Sequence, residues 1–221
     1  MQQMWTDLDN YIDSHLIPDD PILKQTLENT AAHGFPDHLA VAANQGMLLQ
    51  MLIQMNGCKR VLELGTFAAY STMWLARALP EDGYILTIEG RDTHAAIGQE
   101  NIERANLKQT VELKCGRAAD ILKALPEDTE PFDFIFIDAD KQSYPEYLEL
   151  SLKLSRSGTV IFLDNVIRAG AIIDLDNNKP SIEGIRSMFE AMQNHPRLLS
   201  STALQTVGSK GHDGFALAIV K

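Results

Sequence analysis

The sequence contains few cysteines and no recognisable cysteine motif. Its 221 residues include only two, Cys58 and Cys115, which lie far apart and belong to no Cys-X-X-Cys or Cys/His ligand pattern. These features argue against a disulfide framework and against a cysteine-based zinc site. We expect both cysteines to be small buried hydrophobic residues.

The chain also lacks an excess of basic residues. It has 19 lysines and arginines against 30 aspartates and glutamates, which gives a formal net charge of −11. Because binding to a nucleic-acid backbone needs clustered positive charge, this balance argues against such binding over the whole surface. A local basic patch remains compatible with it.

No long apolar run is present, and the N-terminal segment is not typical of a signal peptide. Residues 1–16 carry acidic side chains where a signal peptide would have a basic region. No stretch approaches the ~20 apolar residues that are needed to span a bilayer. We therefore expect a cytoplasmic protein without a membrane partner.

What the chain does contain is a series of short apolar runs separated by segments with helical spacing. Buried strands that alternate with helices are typical of a mostly parallel sheet covered on both faces. Five runs fit this pattern, namely residues 60–65, 84–89, 110–115, 132–138 and 159–164. The helix after the second run is predicted to begin with Asp92 as its N-cap.

The C-terminal part of the chain adds two further predicted strands. Residues 198–207 and 214–221 are joined by the short connector GSKGHD, so they should form an antiparallel hairpin. The sheet should then be parallel except for one reversed strand near its edge. The sequence therefore predicts an α/β fold with a doubly wound, mostly parallel sheet.

The N-terminal part of the chain is predicted to be helical and to belong to the same domain. Residues 5–56 have helical patterns broken at Pro18, Pro21 and residues 34–36, and no linker separates them from the rest. We expect a single domain over residues 1–221, with an N-terminal helical cap over residues 1–56 and an α/β core over residues 57–221.

The turn after the first predicted strand, VLELGTFAAYS (61–71), carries an acid, a glycine and a serine in an order suited to a nucleoside. Glu63 lies near the strand end, Gly65 lies at the turn and Ser71 opens a helix. The Gly-X-Gly-X-X-Gly pattern of dinucleotide sites is absent, which argues against a nicotinamide-dependent dehydrogenase. Glu89 ends the second strand, where an acid can accept hydrogen bonds from both hydroxyls of a ribose. An adenosine-type ligand is favoured.

Two carboxylates and an amide are predicted to meet where the fourth and fifth strands end. Asp138 follows the fourth strand, and Asp164 and Asn165 end the fifth. Such oxygen ligands suit Mg²⁺, Mn²⁺ or Ca²⁺ rather than zinc. Asp164 and Asn165 can share a cation only if the strand already turns at Asn165, because adjacent strand residues point to opposite faces. Lys141 lies on the adjoining loop, where a nearby cation would disfavour its ammonium form and make it a candidate general base.

Four segments in this order and spacing resemble the cation-dependent class I O-methyltransferases. They are ELGTFAAYS (63–71), IEG (88–90), FIDADKQSY (136–144) and FLDNVIRAG (162–170). This family includes catechol and caffeoyl-CoA O-methyltransferases and small bacterial relatives, and it uses S-adenosylmethionine, which becomes S-adenosylhomocysteine. The similarity extends from about Phe35 to the C-terminus. It implies a seven-stranded Rossmann-like sheet and a homodimer. It also implies that residues 1–56 form a substrate segment and that residues 57–221 form the cofactor-binding core.

The resemblance also implies roles for individual residues. Asp138, Asp164 and Asn165 would hold the cation, and Lys141 and Asp138 would be the catalytic residues, with Lys141 as the base beside the acceptor hydroxyl. Independently of the resemblance, we expect Asp140 to be a dispensable loop acid. Val41 would approach the cofactor from the N-terminal segment, and Arg117 and Ala118 would flank the adenine. The full set of implied cofactor residues is Val41, Glu63, Gly65, Phe67, Ser71, Glu89, Arg117, Ala118 and Asp138.

Three positions depart from the family pattern. Family members usually have glycine where Ala69 stands, and a β-carbon there restricts the turn if its backbone needs a positive φ. Gly90 replaces an acid that often follows the ribose-binding glutamate, and Ala118 replaces a serine. These departures bear on cofactor affinity rather than on the reaction.

Three functions remain open at this point. The first is methylation of a small catechol-like or hydroxylated aromatic compound, whose pocket Arg168 and residues 35–38 should help to shape. The second is methylation of a hydroxylated uridine in tRNA, and the third is cofactor binding without catalysis. A local basic patch for tRNA could be formed by Lys59, Arg60, Lys108, Lys114 and Arg117.

Overall fold

The computed structural model describes residues 1–36 and 39–221. All of its strands belong to one seven-stranded sheet with the order β3-β2-β1-β4-β5-β7-β6. The strands are β1 (Arg60–Leu64), β2 (Tyr84–Glu89), β3 (Thr110–Cys115), β4 (Phe132–Ile137), β5 (Ser155–Asp164), β6 (Leu198–Gly208) and β7 (Gly211–Val220).

Strand directions confirm the predicted mixed sheet. The neighbours from β3 to β5 pair in parallel, whereas β7 pairs antiparallel with both β5 and β6. Leu64 of β1 pairs with Ile137 of β4, which in turn pairs with Leu163 of β5. The residues that follow these three positions therefore emerge side by side at one edge of the sheet.

Helices cover both faces of the sheet. The helices are α1 (Gln2–Leu16), α2 (Pro21–Ala32), α3 (Ala43–Met55), α4 (Tyr70–Ala78), α5 (Asp92–Ala105), α6 (Ala118–Ala124), α7 (Tyr144–Lys153) and α8 (Pro180–Met192). One buried cluster lies between the sheet and α6, α7 and α8, and a second packs the other face against α3 and α4. None of the described helices combines the length and hydropathy needed to cross a membrane.

The N-terminal helices have local causes in the sequence. Asp20 caps α2 by accepting hydrogen bonds from the backbone amides of Ile22 and Leu23, and Pro21 occupies the first turn, where no amide donor is needed. The first helix begins at Gln2, three residues before the predicted start. Asp9 of α1 accepts a 2.7 Å hydrogen bond from the amide of Ser209, which fixes α1 to the β6–β7 turn.

Two local predictions were wrong. Arg91, not Asp92, is the N-cap of α5, and Asp92 instead accepts a hydrogen bond from the thiol of Cys115. Cys58 is buried as expected, but Cys115 is exposed. Cys115 ends β3, which lies at the edge of the sheet and has few neighbours to cover it.

Candidate active site

Two cavities meet at the carboxyl-terminal edge of the sheet. One has a volume of about 780 Å³ and the other about 600 Å³, and both are bounded by Asp138 and Asn165. Residues 39–41, which lead into α3, line both cavities as well. In a doubly wound sheet this edge is where ligands bind, because the strand ends leave a crevice there.

The larger cavity brings together most of the residues predicted to bind the cofactor. Its lining includes Val41, Gly65, Phe67, Ser71, Glu89, Arg117, Ala118 and Asp138. Glu63 is the exception, because it does not line the cavity. We call this space the cofactor cavity, and the smaller one the acceptor cavity.

The turn after β1 requires glycine at position 65. Gly65 has a φ of 100°, and a β-carbon added to it would lie 2.1 Å from the carbonyl oxygen of Asp138. The backbones that follow β1 and β4 therefore approach each other more closely than any side chain allows. This contact sets the position of Asp138 relative to the turn.

The same turn places two non-glycine residues in left-handed backbone conformations. Phe67 has a φ of 48°, and Ala69 has a φ of 65° at the N-cap of α4. The sequence analysis noted that a β-carbon at position 69 restricts the turn if the backbone there needs a positive φ. The backbone at Ala69 does adopt a positive φ, so this restriction applies. Conformations of this kind cost on the order of 1–3 kcal/mol in residues other than glycine, and they are held by the surrounding structure.

Glu89 is anchored by backbone amides at the wall of the cofactor cavity. Its carboxylate accepts hydrogen bonds from the amide of Phe67 at 2.7 Å and from that of Arg91 at 3.0 Å. Nδ1 of His94 lies 3.5 Å from the same carboxylate. These contacts fix the direction in which the carboxylate faces the cavity.

His94 was missed by the sequence analysis. Its ring makes edge-to-face contacts with Phe35 and Phe67, with centroids 4.9 Å apart in both cases. Phe35, expected beside the acceptor, thus packs on the cofactor side. Asp37 and His38, which belong to the same prediction, lie outside the described part of the chain. The only sequence signal for His94 is its place in the helix that follows Glu89.

Glu63 lies beneath the floor of the cofactor cavity and has no exposed surface. Its carboxylate accepts hydrogen bonds from the hydroxyls of Ser71 and Thr72 at 2.5 Å and from that of Thr87 at 2.6 Å. Burial raises the pKa of Glu63 to about 7, although the three hydroxyls oppose the shift. Glu63 therefore contacts lining residues of the cavity, Ser71 directly and Thr66 through Thr87, rather than the cavity itself.

The oxygen ligands predicted for a cation lie together at the ends of β4 and β5. Asp138 follows β4, Asp164 ends β5, and Asn165 has a φ of 57°, so the chain does turn there as sharing a cation requires. Burial, together with the nearby charge of Asp138, raises the pKa of Asp164 to about 7, although Lys141 opposes the shift. Two neighbouring carboxylates, one buried and the other partly buried, fit a divalent cation, which would compensate their charge.

The candidate set contains two acids and one amide. No group of three or more histidine, cysteine, aspartate or glutamate side chains suited to a metal occurs within residues 1–36 and 39–221. A cation here would therefore depend on Asn165 and on non-protein oxygens to complete its coordination. Mg²⁺ commonly binds in this way, through one or two carboxylates.

Lys141 lies against Asp138 rather than free in a turn. Its Nζ atom is 2.5 Å from Oδ1 of Asp138, and its side chain is only 10% exposed. Burial is the largest single influence and opposes the ammonium form, but the interactions with Asp138 and Tyr144 together outweigh it and raise the pKa of Lys141 above its ordinary value. The hydroxyl of Tyr144 contacts the carbonyl oxygens of Ile137 and Asp164, which ties the ends of β4 and β5 together.

Asp140 is engaged as well, although the sequence analysis treated it as a dispensable loop acid. It accepts a 2.5 Å hydrogen bond from the hydroxyl of Tyr147 and another from that of Ser143. Asp140 also lines the cofactor cavity. Its contacts hold the loop after β4 against α7.

The acceptor cavity has apolar walls with polar groups among them. Arg168 lines it as predicted, and Asp213 accepts hydrogen bonds from the amides of Ile167 and Arg168, which fixes this loop. The apolar lining includes Ile12, Leu39, Leu48, Val207 and Phe215. Lining residues that the sequence analysis did not identify include Asp9, Asn44, Gln45 and Lys210.

This arrangement is that of a methyltransferase fold with a nucleoside-binding strand edge. A sequence profile of the O-methyltransferase family matches residues 13–218. The chain belongs to that family and is an S-adenosylmethionine-dependent O-methyltransferase of the catechol and caffeoyl-CoA type.

Individual relatives match over almost their whole length. A catechol O-methyltransferase of Niastella koreensis is 46% identical over 220 residues, with 99% of each chain covered. A catechol O-methyltransferase of Mycobacterium tuberculosis is 41% identical, with 97% of this chain and 96% of that protein covered. An O-methyltransferase from Bacillus cereus is 50% identical in sequence. Its crystal structure in complex with SAH superposes on this chain with a TM-score of 0.96, and both chains are covered completely.

Proposed function

We propose that this O-methyltransferase transfers the methyl group to a hydroxyl of a small catechol-like or hydroxylated aromatic acceptor and requires Mg²⁺ or another divalent cation such as Mn²⁺ or Ca²⁺. The observation that carries the proposal is the meeting of the cofactor and acceptor cavities at Asp138 and Asn165. A hydroxyl bound there would face both the cofactor and the oxygen ligands.

The cofactor cavity supplies groups for each part of S-adenosylmethionine. The anchored carboxylate of Glu89 suits the ribose diol, and Ser71, held by Glu63, suits the methionine end. Arg117 and Ala118 lie at the same cavity and would flank the adenine. Binding along this wall would hold the sulfonium methyl near Asp138, which bounds both cavities.

Asp138, Asp164 and Asn165 are the residues that would hold the cation. A bound divalent cation lowers the pKa of a ligating hydroxyl and fixes its direction. Lys141 is the candidate to receive the hydroxyl proton. Its pairing with Asp138 favours the ammonium form, so Lys141 can serve as a base only where the charge of Asp138 is compensated.

An aromatic acceptor is supported by the lining of the acceptor cavity and by the relatives. Ile12, Leu48 and Phe215 offer apolar surface to a ring. Two similar proteins are named catechol O-methyltransferase. Two vicinal hydroxyls could both face Asp138 and Asn165.

Methylation of tRNA is less well supported. Every member of the predicted basic patch is paired with an acid, which lowers the positive charge available to phosphates. Lys59 pairs with Asp82, Arg60 with Glu130, Lys108 with Glu81, Lys114 with Glu112, and Arg117 with Asp120 and Glu146. The third alternative, cofactor binding without catalysis, assigns no function to the oxygen ligands or to Lys141.

We also propose that the protein is a homodimer, as the sequence resemblance implies, and that it is cytoplasmic, as the N-terminal sequence and the lack of a long apolar run led us to expect. Large apolar side chains are exposed on α1 and on β6, including Met4, Leu8, Tyr11, Leu204 and Val207. A surface of this kind suits contact with a second copy of the chain. Light scattering after size exclusion would give the mass of the assembly.

The experiment that tests the proposed function measures transfer of a labelled methyl group to a panel of hydroxylated aromatics and to unmodified tRNA. Activity on a catechol should disappear with EDTA and return with Mg²⁺ or Mn²⁺. Full turnover in thoroughly chelated protein would contradict the cation requirement. Methylation of tRNA alone would replace the aromatic acceptor by the alternative.

A further inference from the structure

Gln45 joins the N-terminal helices to the end of β5. Its side-chain amide nitrogen donates a 2.8 Å hydrogen bond to Oδ2 of Asp164, which is 119 positions away in the sequence. Asp164 is only 5% exposed. The contact thus links two distant parts of the chain at a buried carboxylate.

The orientation of Asp164 is set from both sides. Its Oδ1 atom accepts a 2.8 Å hydrogen bond from the amide of Asn165, while Gln45 occupies Oδ2. Each carboxylate oxygen has two lone pairs, so both oxygens keep one for another ligand. The two donors therefore restrict the rotation of the carboxylate without saturating it.

Helix α3 is held in place where it presents Gln45. The next residue, Gly46, packs so closely on α4 that a β-carbon would lie 2.5 Å from the indole nitrogen of Trp74. Because only the amide nitrogen of a glutamine can donate to a carboxylate, the contact also fixes which end of the Gln45 amide faces Asp164.

We propose that Gln45 is a positioning residue for the cation: it holds the Asp164 carboxylate in the orientation that binds the ion. This inference rests on the proposed function, because it assumes that Asp138 and Asp164 would hold a cation. Carboxylates that bind metals are commonly held by such outer hydrogen bonds, and their loss typically weakens metal affinity by roughly 10- to 100-fold. Gln45 also lines the acceptor cavity, so the N-terminal helices would contribute to both the cation and the acceptor.

Mn²⁺ binding to the cofactor-free protein, followed by electron paramagnetic resonance, tests the inference without measuring activity. Gln45→Met keeps the length of the side chain but removes the donor, and we expect it to raise the Kd for Mn²⁺ by roughly 10- to 100-fold. Gln54→Met is the matched control, because it makes the same change at an exposed position of α3. Affinity for S-adenosylhomocysteine, measured by calorimetry, should be unchanged in both variants.

The outcomes separate the inference from the proposed function. A wild-type Kd for Mn²⁺ in Gln45→Met would overturn the role of Gln45 and leave the cation requirement intact. Wild-type protein that binds no Mn²⁺ would overturn the cation requirement and this inference with it. Gln45→Ala provides a second variant if Gln45→Met does not fold, and thermal unfolding of the metal-free proteins shows which variants are comparable.

Discussion

Nζ of Lys141 lies 2.5 Å from Oδ1 of Asp138, so the candidate base and a candidate cation ligand share one ion pair. The pair is largely buried, which strengthens the interaction of its two charges. A change in the charge of Asp138 therefore also changes the pKa of Lys141.

Lys141→Met should lower kcat by roughly 10²- to 10⁴-fold, which is the usual contribution of general-base catalysis. The affinity for the cofactor should change little, and the affinity for the cation should not fall, because the substitution removes the ammonium that competes for Asp138. Raising the pH, or offering an acceptor with a more acidic hydroxyl, should restore part of the loss, because the acceptor then ionises without help. Lys153→Met, an exposed lysine of α7, is the control. A near-wild-type kcat at neutral pH would show that no base is needed at this position.

Asp138→Asn and Asp140→Asn should have different effects although both acids lie in the loop after β4. Asp138→Asn removes a charge from the candidate oxygen ligands and should weaken Mn²⁺ binding by at least about tenfold. Asp140→Asn should leave Mn²⁺ affinity unchanged and lower the free energy of unfolding by about 1 kcal/mol, since Asp140 accepts from two hydroxyls. Equal losses of Mn²⁺ affinity in the two variants would argue against the assigned ligands.

Glu89→Gln should raise the Kd for S-adenosylhomocysteine by about one to two orders of magnitude, because hydrogen bonds to a charged group contribute roughly 1.5–3 kcal/mol. Calorimetry gives the Kd, and far-ultraviolet circular dichroism checks that the fold is retained. Glu127→Gln changes an exposed glutamate in the same way and serves as the control. Unchanged cofactor affinity in Glu89→Gln would place the ribose elsewhere.

Substitutions at Gly65 and Ala69 should change the free energy of unfolding to different extents, although both residues have a positive φ. Gly65→Ala should destabilise the protein by about 2–5 kcal/mol, because its β-carbon would overlap the carbonyl oxygen of Asp138. Ala69→Gly relieves backbone strain, which stabilises the folded state. It also removes a buried methyl group and raises the conformational entropy of the unfolded chain, and both effects destabilise the fold. Because these effects oppose each other, the free energy of unfolding should change by less than about 1 kcal/mol. Urea unfolding measures both values.

Glu63 should make the fold less stable as the pH rises. Its pKa is about 7 in the folded protein, above the ordinary glutamate value of about 4.3, so between these values only the folded state keeps the proton. The free energy of unfolding should therefore fall across this window by on the order of 3 kcal/mol from Glu63. Asp164 should also lower the free energy of unfolding as the pH rises, because its pKa in the folded protein is likewise raised to about 7.

Comparison of the wild type with Glu63→Gln isolates this contribution. Glutamine keeps the shape of the side chain and cannot ionise, so the variant should lose less stability than the wild type between about pH 5 and about pH 8. Urea unfolding over this range gives the difference. Parallel pH profiles for the two proteins would show that Glu63 does not titrate in this range.

Much of the fold could be predicted because its signals are local. Apolar runs that alternate with helical segments indicated the strands, and the connector GSKGHD indicated the reversed strand β7. The strand ends also predicted the positions of Asp138, Asp164 and Asn165, because the carboxyl ends of parallel strands share one edge. The N-cap of α5 was predicted wrongly, because capping depends on backbone geometry that a single residue type does not fix.

By itself the sequence determined the order of the strands along the chain and the kinds of oxygen and nitrogen groups at their ends. Only the tertiary structure decided which of these groups are in contact. Gln45 reaches Asp164, His94 packs against both Phe35 and Phe67, and Glu63 lies behind the cavity lining rather than at the cavity wall. Local periodicity determines which face of an element is buried, whereas such contacts depend on how helices far apart in the sequence pack on the sheet.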